Sequence, residues 1–262
     1  MFFGQKGHVA VVLAGMKAVV VGGTSGIGKA LSLGLARAGA DVAATSRSQE
    51  AVDATAAEIS ATGVSALRVA SDISDRQSLL RLREHVLVEF GSVDILINSA
   101  GMTKRIPTLD IDETLWRQIM DVNLTGPLRT CQIFGETMIE QGFGRIINIA
   151  SLASTVAFQE VAAYGASKAG LAALTRSLAT EWAEYGVTVN AIAPGIFPTE
   201  LNRKIIDSPR GQELLMRTPM KRFGDTDELI STAVYLASRE TSFTTGQVIA
   251  VDGGFLASGV NQ

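Results

Sequence analysis

The chain alternates between two kinds of segment. Short, β-rich apolar runs lie at 18–22, 42–45, 66–70, 95–98, 145–150, 187–192 and 247–251. Stretches with helical period lie at 26–38, 51–61, 75–90, 113–141, 161–185 and 225–238. Strands alternating with helices build parallel sheets through helical crossovers. Strands apolar on both faces belong in a sheet covered by helices on both sides. The expectation is a single α/β domain over 1–262 with a seven-stranded, doubly wound parallel sheet. The weakly patterned stretch 193–224 holds four of the six prolines. A connection of that length in a compact domain is usually functional, and it reads as a substrate lid.

Composition narrows the partners. With 47% hydrophobic and 19% charged residues the chain is no disordered segment. A formal charge of −3 gives no support for a nucleic-acid or anionic-membrane partner. One cysteine, Cys131, cannot form an internal disulfide, and with two histidines it cannot build the usual zinc site. The nearly continuous apolar run at 10–21 is shorter than the about 20 residues a membrane helix needs, and it lacks the basic flank of a signal peptide. A soluble cytoplasmic protein is expected. The first dozen residues, a short strand or an extension, receive no function.

The first strand runs into Gly22-Gly23-Thr24-Ser25-Gly26-Ile27-Gly28, and a helical pattern follows. Glycines at such a strand-to-helix turn let the backbone approach a pyrophosphate, while the helix N-terminus offers free N–H groups and a positive dipole. The spacing G-x-x-x-G-x-G is not the G-x-G-x-x-G form. About 20 residues further on, where an acidic side chain would accept a ribose 2′-hydroxyl, the second strand ends in Ser46 and Arg47. A guanidinium there suits a 2′-phosphate, which favours NADP, with NAD as the alternative.

Tyr164 and Lys168 lie four apart, on one face of a helix. An ammonium beside a phenol favours the phenolate, and a phenol so poised exchanges protons with an alcohol or ketone. Read alone, the pair is an ordinary polar pair on a solvated face. Ser151, just past the strand at 145–150, stands at the carboxyl edge of the sheet, where ligands bind; Ser154 competes with it as hydroxyl donor. Asn98-Ser99-Ala100-Gly101 ends another strand at the same edge. Asn123 precedes Pro127 by four residues, where a proline frees a carbonyl and kinks a helix. Its bland reading is a buried asparagine that repairs the kink.

In this order the residues resemble the short-chain dehydrogenase/reductase family, from about Met16 to the C-terminus. The resemblance rests on Gly22–Gly28, Asp72-Ile73, Asn98–Gly101, Asn123, Ser151, Tyr164, Lys168, Asn190–Gly195 with Thr199, and Asp252-Gly253-Gly254. It implies a Rossmann fold with Tyr164 as general acid/base. Lys168 holds the nicotinamide ribose and lowers the pKa of Tyr164; Ser151 polarises the reacting oxygen; Asn123 anchors a relay water. The cofactor set it implies is Gly22, Thr24, Ser25, Gly26, Ile27, Gly28, Ser46, Arg47, Asp72, Ile73, Asn98, Ala100, Gly101, Tyr164, Lys168, Pro194, Gly195 and Thr199. Val21 and Ser99 depart from the family's usual threonine and asparagine, and Ser25 stands where many NADP-preferring relatives carry a basic residue.

The runs 194–203 and 218–224 look similar to the gluconate 5-dehydrogenase-like branch, which implies a small-molecule substrate, a sugar acid oxidised at a secondary alcohol. Lys104, Arg105 and Arg203 are then candidates for its carboxylate, against the bland reading of solvated lid charge. The 3-oxoacyl-carrier-protein reductases share most of the motifs and are the rival; a non-catalytic nucleotide-binding protein is the alternative of another class. Family members pair the long helices at 113–141 and 161–185 between subunits, which implies a homotetramer.

Overall fold

The computed structural model describes residues 13–200 and 207–259. The N-terminal extension and Arg203 therefore lie outside the described residues. In chain order the elements are β1 (Lys17–Val21), α1 (Gly26–Arg37), β2 (Asp41–Thr45), α2 (Gln49–Ser60), α3 (Arg76–Phe90), β3 (Ile95–Asn98), α4 (Glu113–Met120), α5 (Gly126–Glu140), β4 (Gly144–Ile149), α6 (Ala162–Trp182), β5 (Val187–Pro194), α7 (Pro209–Arg217), α8 (Ile230–Ala237) and β6 (Val248–Val251). The strands form one parallel sheet in the order β2-β1-β3-β4-β5-β6. The order reverses between β1 and β3, and the crevice outside the carboxyl ends at such a switch point is the usual ligand site of an open α/β sheet.

Period-2 alternation along the strands feeds two cores. Val20, Ile97, Ile147 and Ile192 pack with Leu31, Leu35, Ile59 and Leu236 on the side of α1, α2 and α8. Val19, Val21, Leu96 and Val189 pack with Leu79, Val86, Phe134, Met138 and Leu178 on the side of α3, α5 and α6. Helices on both faces make the sheet doubly wound, as the apolar runs require.

Three expectations are corrected. Among the described residues the sheet has six strands, not seven, because 66–70 runs along β2 without building a ladder. Only Ala66 bridges to Val42. Beyond it, side chains take the backbone groups: Thr45 Oγ1 donates to Val69 O (2.7 Å), and Gln49 Oε1 accepts from Ala70 N (3.3 Å). The helix expected at 113–141 is divided by a π-helical turn, Asp121–Thr125. Pro127 lacks the N–H that the carbonyl of Asn123 would accept in a regular α-helix, and the backbone widens there. Finally, 193–224 is not without structure. It contains α7, which starts with Ser208 capping Gly211 N (3.2 Å) and Pro209 in the first turn. Among the described residues no helix is long and apolar enough to cross a membrane.

Candidate active site

The strand-to-helix turn is built by close approaches. Gly22 has φ +79°, and a Cβ there would stand 2.4 Å from Ala100 N; one on Gly28 would stand 2.0 Å from Gly22 O. No larger residue fits at either place. Gly22 N and Gly23 N both donate to Thr45 O, and Thr24 Oγ1 donates to Ser46 Oγ (2.8 Å). Ser25, at the N-cap of α1, makes no side-chain cap, and the first turn carries no acidic residue. By contrast α2, α3, α4 and α7 are capped by Ser48, Asp75, Asp112 and Ser208. Ile27 packs on the core, so what it offers outward is its backbone. Gly26, at φ +48°, looks onto Thr199, whose Cγ2 would lie 3.3 Å from an added Cβ. Pro194 ends β5, and Gly195 donates to Val251 O (2.8 Å) while its α-carbon packs on Asp252. The 194–199 segment thus lies against the glycine turn at Gly26, at the carboxyl edge of the sheet.

Arg47 is exposed just past β2, and its charge reaches Asp72. Burial alone would raise the Asp72 carboxyl, but hydrogen bonds from Ser74 and the nearby guanidinium hold it below the usual carboxylate range. Ile73 and Asn98 turn their side chains inward. Ile73 is 6% exposed and lies against Gly126. Asn98 belongs to a buried chain in which Thr130 Oγ1 donates to Asn98 Oδ1 (2.6 Å), Asn98 Nδ2 to Asn148 Oδ1 (2.9 Å), and Asn148 Nδ2 to Thr175 Oγ1 (2.9 Å). A ligand can meet these two residues only through their backbone. Cys131 borders the same network, and burial pushes its thiol up to about 12, which leaves it inert.

The loop after β3 joins the glycine turn to the tyrosine helix. Ala100 N donates to Val21 O (2.9 Å). A Cβ on Gly101 would stand 3.5 Å from Asn123 Oδ1 and 3.7 Å from Lys168 Nζ. Asn123 is fully buried in the π-turn. Its Oδ1 accepts from Met102 N (2.8 Å), and its Nδ2 donates to Met102 O (2.9 Å) and Ser167 Oγ (3.0 Å). The side chain thus clasps the loop and α6 rather than repairing the kink. Ser167, missed in the sequence, completes that clasp by donating to Tyr164 O (2.7 Å).

Ser151 and Ser154 part company. Ser154 Oγ donates to the backbone carbonyl of Lys168 (2.9 Å), whereas the Ser151 hydroxyl accepts from Ala153 N (3.1 Å) and stands near enough to the Tyr164 phenol to lower its pKa. Lys168 Nζ lies 5.8 Å from the centre of the Tyr164 ring and donates to Ile149 O (2.7 Å). Burial pushes this ammonium down to about 8. It also pushes the Tyr164 phenol up, against the opposing pull of the nearby Ser151 hydroxyl. The lowering of the phenol by a neighbouring ammonium, expected from the spacing, is not seen: burial raises the phenol, and Ser151 is what pulls it down. A serine hydroxyl near a phenol, with a buried cation one helical turn away, is a constellation for moving a proton on and off an oxygen.

Lys104 and Arg105 lie exposed on the rim, in the loop that packs through Met102 and Ile106 against Ala163 of α6. Arg105 is not free: its Nε donates to the carboxylate of Glu160. Arg210 of α7 donates from both Nη atoms to Gln159 O, each at 3.1 Å. Neither Glu160 nor Arg210's contact could be read from spacing, because both join segments about 50 residues apart.

Comparison with known proteins agrees with this geometry. A family profile described as enoyl-(acyl carrier protein) reductase matches residues 21–256. The gluconate 5-dehydrogenase of Gluconobacter oxydans is 36% identical over 247 residues, 94% of this chain and 96% of that one. The D-threitol dehydrogenase of Mycolicibacterium smegmatis is 38% identical over 93% of this chain and 94% of its own. The crystal structure of a gluconate 5-dehydrogenase from Burkholderia cenocepacia in complex with NADP and tartrate superposes with a TM-score of 0.92 at 35% identity, covering 95% and 98% of the two chains. With likeness spanning nearly the full length of these proteins and the site elements in the same chain, this protein belongs to the short-chain dehydrogenase/reductase family.

Proposed function

We propose that the protein is an NADP-dependent dehydrogenase acting on a secondary alcohol of a sugar acid, of the gluconate/5-ketogluconate type. The observation that carries the reading is the Ser151–Tyr164–Lys168 group at the carboxyl edge, joined through the Gly101 loop to the glycine turn on which Thr199 lies. The dinucleotide fits the donor set: uncapped N–H groups at α1, the exposed Arg47, and a buried ammonium with no acidic partner among the described residues. When bound, the nicotinamide supplies or receives the hydride. Gly22 to Gly28 would hold the pyrophosphate, Ser46 and Arg47 the 2′-phosphate, Asp72 and Ile73 the adenine side, Lys168 the nicotinamide ribose, and Thr199 the carboxamide. Tyr164 takes the proton of the alcohol or returns it to the ketone. Ser151 fixes the oxygen, and Asn123 anchors the relay water. Lys104 and Arg105 face the carboxylate. The 193–224 segment closes over the substrate, a reading supported by the reach of Arg210 to Gln159 between Ser151 and Tyr164.

A cytoplasmic homotetramer completes the proposal. Exposed alanines at 162, 166, 169 and 173 stripe α6, and Phe243 and Tyr235 stand exposed near the open edge strand β6. Such surfaces pair well with second copies. Rates with NADP and NAD across aldonates, neutral polyols and 3-oxoacyl thioesters test the function. The highest kcat/KM is expected with NADP and an aldonate. A thioester or neutral polyol outrunning every aldonate would overturn the sugar-acid assignment.

A further inference from the structure

Glu160 sits four residues before Tyr164, and it is one of two non-glycine residues with positive φ among the described residues, at +64°. Side chains rarely settle there without something holding them. Two contacts do so: Glu160 O accepts from Ile106 N (2.8 Å), and the carboxylate accepts from Arg105 Nε. The carboxylate is the more sheltered partner, with its side chain 26% exposed against 56% for Arg105. Arg105 makes no other hydrogen bond among the described residues, so the rest of its guanidinium is open toward solvent. The segment is also fixed from two further directions, by Arg210 on Gln159 O and by the Phe158 ring, 6.0 Å from that of Phe255. Glu160 therefore cannot swing far from Arg105 when a ligand arrives.

We propose that Glu160 is a specificity-determining residue: its carboxylate occupies Arg105 from within the chain and so opposes an anionic substrate at the rim, while a neutral polyol meets no such opposition. This rests on the sugar-acid reading of the site. A second carboxylate reaching the same guanidinium meets the charge of the first and must share or displace it. Glu160 would then set the KM for the acid and ease release of the acid product, without touching the reacting atoms.

Glu160→Gln keeps the shape and an acceptor for Arg105 while removing the charge. Glu160→Gly removes the side chain and fits the positive φ, so the pair guards against a folding defect in either one. The KM for D-gluconate is expected to fall roughly two- to fivefold in both variants, the range of a partly exposed ion pair, with kcat little changed. Dissociation constants from thermal shifts with D-gluconate and with D-sorbitol, its uncharged counterpart, should show the same fall for gluconate alone. An unchanged or higher gluconate constant, an equal change for sorbitol, or no gluconate binding by any form would overturn the inference. Gluconate that binds more tightly to the variants but is not oxidised would leave it standing and sink the proposed function instead.

Discussion

At the amino ends of the strands Asp94 accepts from Lys17 N (2.8 Å) and pairs with Arg239 (3.4 Å), and Lys17 pairs in turn with Asp41. Arg145, 3% exposed, gives its N–H groups to the carbonyls of Ser238, Gly144, Gly186 and Arg239, and its guanidinium lies 4.3 Å from the centre of the Phe143 ring. Among the described residues at the carboxyl ends, Lys168 has one carbonyl and no carboxylate, Arg47 has no hydrogen bond, and α1 begins without a cap. Both ends are rich in donors. At the first, the fold itself supplies the acceptors, and the charges hold strands and helices together. At the second, donor capacity is left over, which is what a site for an outside anion or oxygen requires. Substitutions should therefore separate: stability at one end, chemistry at the other.

The largest effect belongs to Tyr164→Phe. It deletes the hydroxyl that stands near Ser151 and should lower kcat by roughly 10²–10⁴-fold, the usual worth of a general acid/base. The midpoint of thermal unfolding should stay close to that of the parent. A large drop in stability with turnover retained would put Tyr164 in the same class as the amino-end residues. Arg145→Met should do the reverse. It strands several carbonyls away from water and should cost about 2–4 kcal/mol of unfolding free energy in urea, with KM and kcat of the folded enzyme unaltered.

What the sequence disclosed divides along the same line. The alternation of apolar runs located all six strands, because burial on both faces leaves a pattern within four to eight residues. The glycine turn, Tyr164 and Lys168 were legible because their spacing is local. The run at 66–70 misled because apolarity marks burial, not ladder bonds, and Thr45 and Gln49 compete for its backbone. The division of 113–141 had a visible cause in Pro127, but the widened π-turn depends on how α4 packs over α6. Asn98 and Ile73 entered the cofactor set through the motifs they belong to, and only the fold shows their side chains turned in. The Arg105–Glu160 pair joins distant segments and leaves no local trace.

Lys168 offers a test of charge in the crevice that does not depend on turnover. Its folded pKa of about 8 lies below the ordinary 10.5, so between those values the unfolded chain binds more protons than the folded one. Stability contributed by this group therefore rises with pH across that window. The parent should gain up to roughly 3 kcal/mol relative to Lys168→Met between pH 7.5 and 10.5, read from unfolding midpoints. The raised phenol of Tyr164 acts oppositely above pH 10, but it is present in both proteins and drops out of the difference. Parallel profiles would mean that the ammonium is better solvated than its burial indicates.

The smallest shift, and the one that bears most directly on the choice of dinucleotide, is expected at Arg47. Its guanidinium is exposed and, among the described residues, makes no hydrogen bond and acts through the field it exerts on Asp72, so it braces little that its loss would loosen. A contact with a 2′-phosphate at such a site is charge-assisted but screened by water, and losing it should raise the KM for NADP about tenfold, near 1.4 kcal/mol. The KM for NAD, which has no phosphate there, should stay where it was, and the NADP effect should shrink as salt is added. If Arg47→Ala weakened both dinucleotides alike, the arginine would be shaping the loop after β2 in the way Arg145 shapes the opposite end, and the contrast between the two ends of the sheet would no longer hold at this position.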